Sequence, residues 1–90
     1  MRTRTVYKYP IVSSEAISMP RGAVIRHVGE QSGTIYVWAE VWTDYPVVSR
    51  SFLVVGTGWK QFALHRFKFI GTVQMSSGLM WHVYDGGELG

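Results

Sequence analysis

Cysteine is absent from this chain, so no disulfide holds its fold and neither thiolate metal sites nor cysteine nucleophiles are available. A small secreted domain with a thin core is usually stapled by disulfides. Their absence fits a cytosolic protein, or one stabilised by oligomerisation. Long apolar runs are missing too. Runs such as Phe52-Leu53-Val54-Val55 fall far short of the roughly 20 residues of a membrane-spanning helix. No apolar stretch of signal-peptide length follows Met1-Arg2-Thr3-Arg4, so the expectation is a soluble, cytoplasmic protein without membrane contact. Helical patterns are scarce. Segment 13–19 amounts to one turn before Pro20 ends it, and 58–66 reads as an irregular connection.

What is present is alternation. In Thr34-Ile35-Tyr36-Val37-Trp38-Ala39-Glu40-Val41-Trp42, the small apolar residues fall on one side at a period of two. Tyr36, Trp38, Glu40 and Trp42 fall on the other. That is a β-strand whose second face is a ladder of aromatics around one carboxylate. Turn signals recur at Pro10, Pro20-Arg21-Gly22, Gln31-Ser32-Gly33, Asp44-Tyr45-Pro46, Gly56-Thr57-Gly58, Ser76-Ser77-Gly78 and Asp85-Gly86-Gly87. They delimit strands at about 3–9, 15–19, 23–30, 34–43, 48–55, 66–74 and 79–84. Phe67, Phe69, Gly71 and Val73 share one side of their run, and Leu79, Trp81 and Val83 share a side of the next. These are the expected core faces of a terminal hairpin. Ninety residues, 47% of them hydrophobic, suit one domain over 1–90. The expected architecture is all-β, a small antiparallel barrel or two-sheet sandwich of about seven short strands.

Candidate sites follow from the side chains. The Tyr36, Trp38 and Trp42 face is either a flat aromatic surface open to water or the second half of the core. Glu40 discriminates, because a carboxylate between two indoles needs water or a defined partner such as Arg50. Gly56-Thr57-Gly58-Trp59-Lys60 sets two glycines around a Thr with a Lys nearby. It reads as a plain turn rather than a phosphate cradle, since no Walker pattern or helix follows. Arg21 sits at a turn tip. Trp59 and Lys60 share a loop. The histidines, His27, His65 and His82, lie far apart without metal-ligand spacing, so no metal and no cofactor are expected. Asp44, Asp85 and the four glutamates stand singly, and nothing nominates a catalytic triad. Net charge is +3, scattered over Arg2, Arg4 and Lys8 and over Lys60, Arg66 and Lys68. That is short of a nucleic-acid stripe.

Five strings taken together, Tyr7-Lys8-Tyr9-Pro10, Met19-Pro20-Arg21-Gly22-Ala23, Gly56-Thr57-Gly58, Phe69-Ile70-Gly71-Thr72-Val73 and Trp81-His82-Val83-Tyr84, resemble a family of small uncharacterised proteins of tailed bacteriophages. The resemblance covers nearly the whole chain and departs most at 59–66. It implies no activity and no site residue. It does imply a setting, the host cytoplasm, in which small accessory proteins act as binders in host takeover or anti-defence. The resulting expectation is a non-enzymatic binding module that takes a host protein stoichiometrically through Tyr36, Trp38, Trp42, Arg21, Trp59 and Lys60. Alternatives are a nucleic-acid-binding β-barrel, with Arg2, Arg4, Lys8, Lys60 and Lys68 on phosphates, or a homo-oligomeric sponge for a nucleotide-like small ligand.

Overall fold

A computed structural model describes residues 3–12 and 15–89. The chain forms seven strands, β1 (Arg4–Pro10), β2 (Ala16–Pro20), β3 (Val24–Gln31), β4 (Thr34–Trp42), β5 (Val47–Gly56), β6 (Lys68–Gln74) and β7 (Met80–Glu88). They pair antiparallel throughout, as a three-stranded sheet ordered β1-β4-β3 and a four-stranded sheet ordered β2-β5-β7-β6. The two sheets stack without closing into a barrel, which makes the fold a sandwich. One single turn of 3₁₀ helix, Leu64–Arg66, interrupts the connection between β5 and β6.

The alternation seen in the sequence builds the interior. Val37, Ala39 and Val41 of β4 are buried, and they meet Phe52 and Val54 of β5, Val73 of β6, Val83 of β7 and Met19 of β2 in one cluster. Each of the Val, Phe and Met side chains contributes about 1.5–3 kcal/mol by leaving water, and Ala39 less. The sheets approach closely where β6 passes β3. A Cβ at Gly71 would lie 3.2 Å from the Val28 side chain, so the absence of a side chain there sets the spacing of the two layers.

Three bulges shift the phase of the strands. Between Ile25 and His27 of β3, Arg26 is the extra residue opposite β4. Between Phe69 and Gly71 of β6, Ile70 is the extra residue, and on β7 it is Gly86, opposite Ser51 and Phe52. The second bulge overturns one expectation. Phe69 does not share the inner face with Gly71 and Val73; it is 53% exposed and meets Tyr84 edge-on at 5.4 Å. Ile70 packs against the core instead. Leu79, expected inside with Trp81 and Val83, precedes the strand and is exposed. The place assigned to it is taken further along by Asp85, which is buried.

Asp85 is accommodated by Arg50 of the neighbouring strand. The guanidinium donates from Nε to Oδ1 at 3.1 Å and from Nη2 to Oδ2 at 2.5 Å, and Nη1 donates to the Ala23 carbonyl at 2.5 Å. One side chain thus ties β5, β7 and the approach to β3 together. Burial pushes the Asp85 carboxyl up, but the hydrogen bonds from Arg50 and the Gly87 N–H, with the charges of Arg50 and Lys68, hold it below the ordinary aspartate range.

Each sheet leaves two edges, and each edge strand carries an interruption. β1 has Lys8 near its middle and ends on Pro10, and β2 is five residues long and ends on Pro20. β3 and β6 are broken by the Arg26 and Ile70 bulges, with Lys68 at the start of β6. Among the described residues, none of the four edges pairs with another strand. These are the devices by which sheets avoid joining edge to edge.

Candidate functional site

The outer face of β4 points to solvent, not into a second core layer. Tyr36, Trp38, Glu40 and Trp42 are all half-buried, while the alternate residues from Val37 to Val41 are sealed. Register places Pro10, Lys8, Val6 and Arg4 of β1 beside these four on one flank. On the other flank lie Gly29, His27 and Val24 of β3. The Arg26 bulge adds a consequence. Two consecutive residues of β3, Arg26 and His27, both reach the outer face, where a regular strand would present one.

The face is continuous and its rings are packed. Trp38 lies 5.2 Å from the His27 ring and 6.0 Å from Tyr36, and Trp42 stacks on Tyr45 at 5.9 Å with 24° between planes. Cations cap the ends of the row. The Lys8 ammonium sits 4.6 Å from the Tyr36 ring centroid, the Arg4 guanidinium 4.2 Å from Trp42, and Arg21 5.8 Å from Tyr45. The seven residues of strand from Tyr36 to Trp42 span six steps, a strip about 20 Å long.

Glu40 does not pair with Arg50, which is committed to Asp85. Its partners are Arg4, at 2.6 Å, and Arg26, at 3.0 Å. Hydrogen bonds from Arg4 first and Arg26 second hold the Glu40 carboxyl below the usual glutamate range, so it is ionised at neutral pH. Exposed pairs of this kind add little stability. Their effect is positional, because Glu40 holds Arg4 against Trp42 and Arg26 against the sheet. Among the described residues, Arg4, Lys8, Arg21 and Arg26 set four cations against the one carboxylate of Glu40 on this face, and that carboxylate is already satisfied.

The expected site residues separate into two groups. Tyr36, Trp38 and Trp42 share the outer face, and Arg21 joins its Trp42 end through Tyr45. Trp59 stands at one end of the sandwich, where its ring covers Gly56. A Cβ there would lie 2.8 Å from the indole. Trp59 also meets Trp81 edge-on at 5.2 Å and 85°. Lys60 is exposed beside it. In the Gly56-Thr57-Gly58 turn, Thr57 shares a hydrogen bond with His82 Nε2 at 2.9 Å, while Thr72 meets Nδ1 at 3.0 Å. The imidazole therefore bridges two hydroxyls, and neither neighbour carries the charge of a triad's carboxylate. Arg2, Ser13 and Ser14 lie outside the described residues. Sequence reasoning missed Arg26, His27 and Tyr45 as parts of the face. Tyr45 beside Pro46 at a turn was the only visible signal among them.

Fold and face together define a two-sheet β-sandwich that presents a half-exposed aromatic strip ringed by cations. The chain belongs to the family described as a domain of unknown function, DUF7352, which matches residues 2–89. No curated protein and no solved structure matches it. The family match agrees with the expectation of an uncharacterised domain spanning nearly the whole chain.

Proposed function

We propose that the protein is a non-enzymatic binding module, a small phage accessory protein that holds a host protein stoichiometrically on the outer face of its three-stranded sheet. The observation that carries this reading is the composition of the face: Tyr36, Trp38 and Trp42 half-exposed among Arg4, Lys8, Arg21 and Arg26. Aromatic and Arg side chains dominate interface hot spots. The excess of cations favours an acidic partner surface. The phage setting and the host cytoplasm rest on the resemblance noted in the sequence. Trp38 contacts side chains of its own sheet face rather than the core, so Trp38→Ala is expected to fold and to lose about 2 kcal/mol of binding or more, roughly 30-fold in affinity. Capture from nuclease-treated host lysate by wild type and by the variant, at equal loading, tests this. An unchanged capture pattern removes the face from consideration.

A second reading has its own support. Lys8 and Arg4 stand directly over rings on which bases could stack, the combination found in single-strand binders. Affinity for a labelled single strand would then fall steeply between low and physiological salt. Absence of binding at low salt would exclude it.

A further inference from the structure

Between the sheets, at the Trp59 end, lies an open cleft of about 230 Å³ lined by Ile11, Ile35, Val54, Trp59 and Trp81. We propose that this cleft is a binding site for a small uncharged molecule bearing an aromatic ring of one or two cycles, with Trp59 as its adjustable wall. The site lies apart from the outer face of β4 and does not depend on the reading of that face.

Size and chemistry select the ligand. An apolar cavity of about 150 Å³ holds benzene, so the present volume suits a bicyclic ring such as indole. It is too small for a nucleotide. Among the described residues no charged side chain lines it, and the polar side-chain groups of its lining are the indole N–H donors of Trp59 and Trp81, so an ionised group placed there would lose its hydration with little compensation. The indoles of Trp59 and Trp81 meet edge to face, an arrangement that offers a ring further edge and face contacts.

The backbone argues for a free molecule over a peptide. The Ile11 N–H already donates to the Ile35 carbonyl at 2.8 Å, and Val54 and Trp81 lie in the β5–β7 ladder. A peptide entering the cleft would find its main chain without strand-like partners.

Four of the five walls are anchored and one is not. Ile11 and Val54 are buried in the core cluster, and Ile35 and Trp81 pack against it. Trp59 stands outside that cluster, 58% exposed, on a turn whose Gly58 takes φ +85°. Its indole rests on Gly56, where any side chain would displace it. Rotation of this one side chain changes the width of the mouth while the sandwich stays as it is.

The test uses the four indole N–H signals of ¹⁵N-labelled protein. Titration with indole is expected to shift Trp81 and Trp59 saturably with one-to-one stoichiometry, while Trp38 and Trp42 on the other sheet stay in place. Trp59→Ala, at an exposed position, is expected to weaken binding about tenfold or more, read at Trp81. Gly56→Ala, which unseats the wall without removing it, is expected to weaken it as well. The proposal is overturned if the shifts do not saturate, if all four Trp signals move alike, or if both variants bind indole as wild type does. It is also overturned if a Gly-Phe-Gly peptide or adenosine monophosphate binds the cleft more tightly than indole.

Discussion

Replacing Arg50 by Met keeps most of the side-chain stem and removes the three donors that satisfy Asp85 and the Ala23 carbonyl. Asp85 is 8% exposed, so its charge would be left buried beside the Gly87 N–H and the more distant Lys68. Breaking a buried pair on one side costs about 3–5 kcal/mol. A domain of this size has about 5–13 kcal/mol in total, and each kcal/mol moves its melting point by about 4–8 °C. The melting temperature should therefore fall by at least about 12 °C at pH 7. The pH dependence should also change sign. In the wild type the Asp85 carboxyl is held low, so its contribution is complete above about pH 4 and is lost as pH falls through the depressed folded value. Without Arg50, burial dominates and raises the folded value above the unfolded one. Stability is then greatest at low pH and declines as pH rises through that raised value. Thermal melts of both proteins from pH 4 to pH 7 read this directly. A variant melting within a few degrees of wild type at pH 7, or tracking wild type across the range, would refute the account of this pair.

Other expectations follow from the same geometry. Met19 is 1% exposed, and Met19→Ala should cost about 2–5 kcal/mol in urea unfolding without changing the slope. Glu40→Gln should leave the melting temperature nearly unchanged, because its partners are exposed, yet release Arg4 from Trp42; an altered Trp42 indole signal at unchanged stability would show this. In the wild type the same release should occur only below the ordinary glutamate range, since Arg4 and Arg26 hold the carboxyl down. A change in the Trp42 signal between pH 7 and pH 5 would contradict that assignment. Deleting Arg26 should remove the bulge and leave His27 outward opposite Trp38, with Ile25 and Val28 still inward, so the small sheet should still form; loss of near-ultraviolet dichroism would contradict this account of the bulge.

The pattern of β4 was legible because nine residues alternate without interruption, and six of the seven strands began or ended at Gly, Pro or Asp signals visible in the chain. Phase was lost wherever a strand carries one residue too many. Ile70 and Phe69 exchanged faces, and Arg26 was not placed beside Glu40, because a bulge has no period and leaves no composition mark. The buried Asp85 was hidden in a turn-like Asp-Gly-Gly string that the structure spends inside β7. The cleft could not be read at all, since its lining comes from a loop, three strands and a turn that are adjacent only after the sheets stack.

The interrupted edges have a consequence for how such a protein can change. A module that grips by adding a strand must keep the register of two backbones, so a new partner must match the old ladder. On the function proposed above, contact is left to side chains on a finished sheet. Exchanging Tyr36, Trp38 or Trp42 would then rewrite what is recognised while the layers beneath, fastened by Val37, Ala39 and Val41, remain as they are. On that proposal recognition and folding are assigned to alternate residues of one strand, so that each can drift without the other.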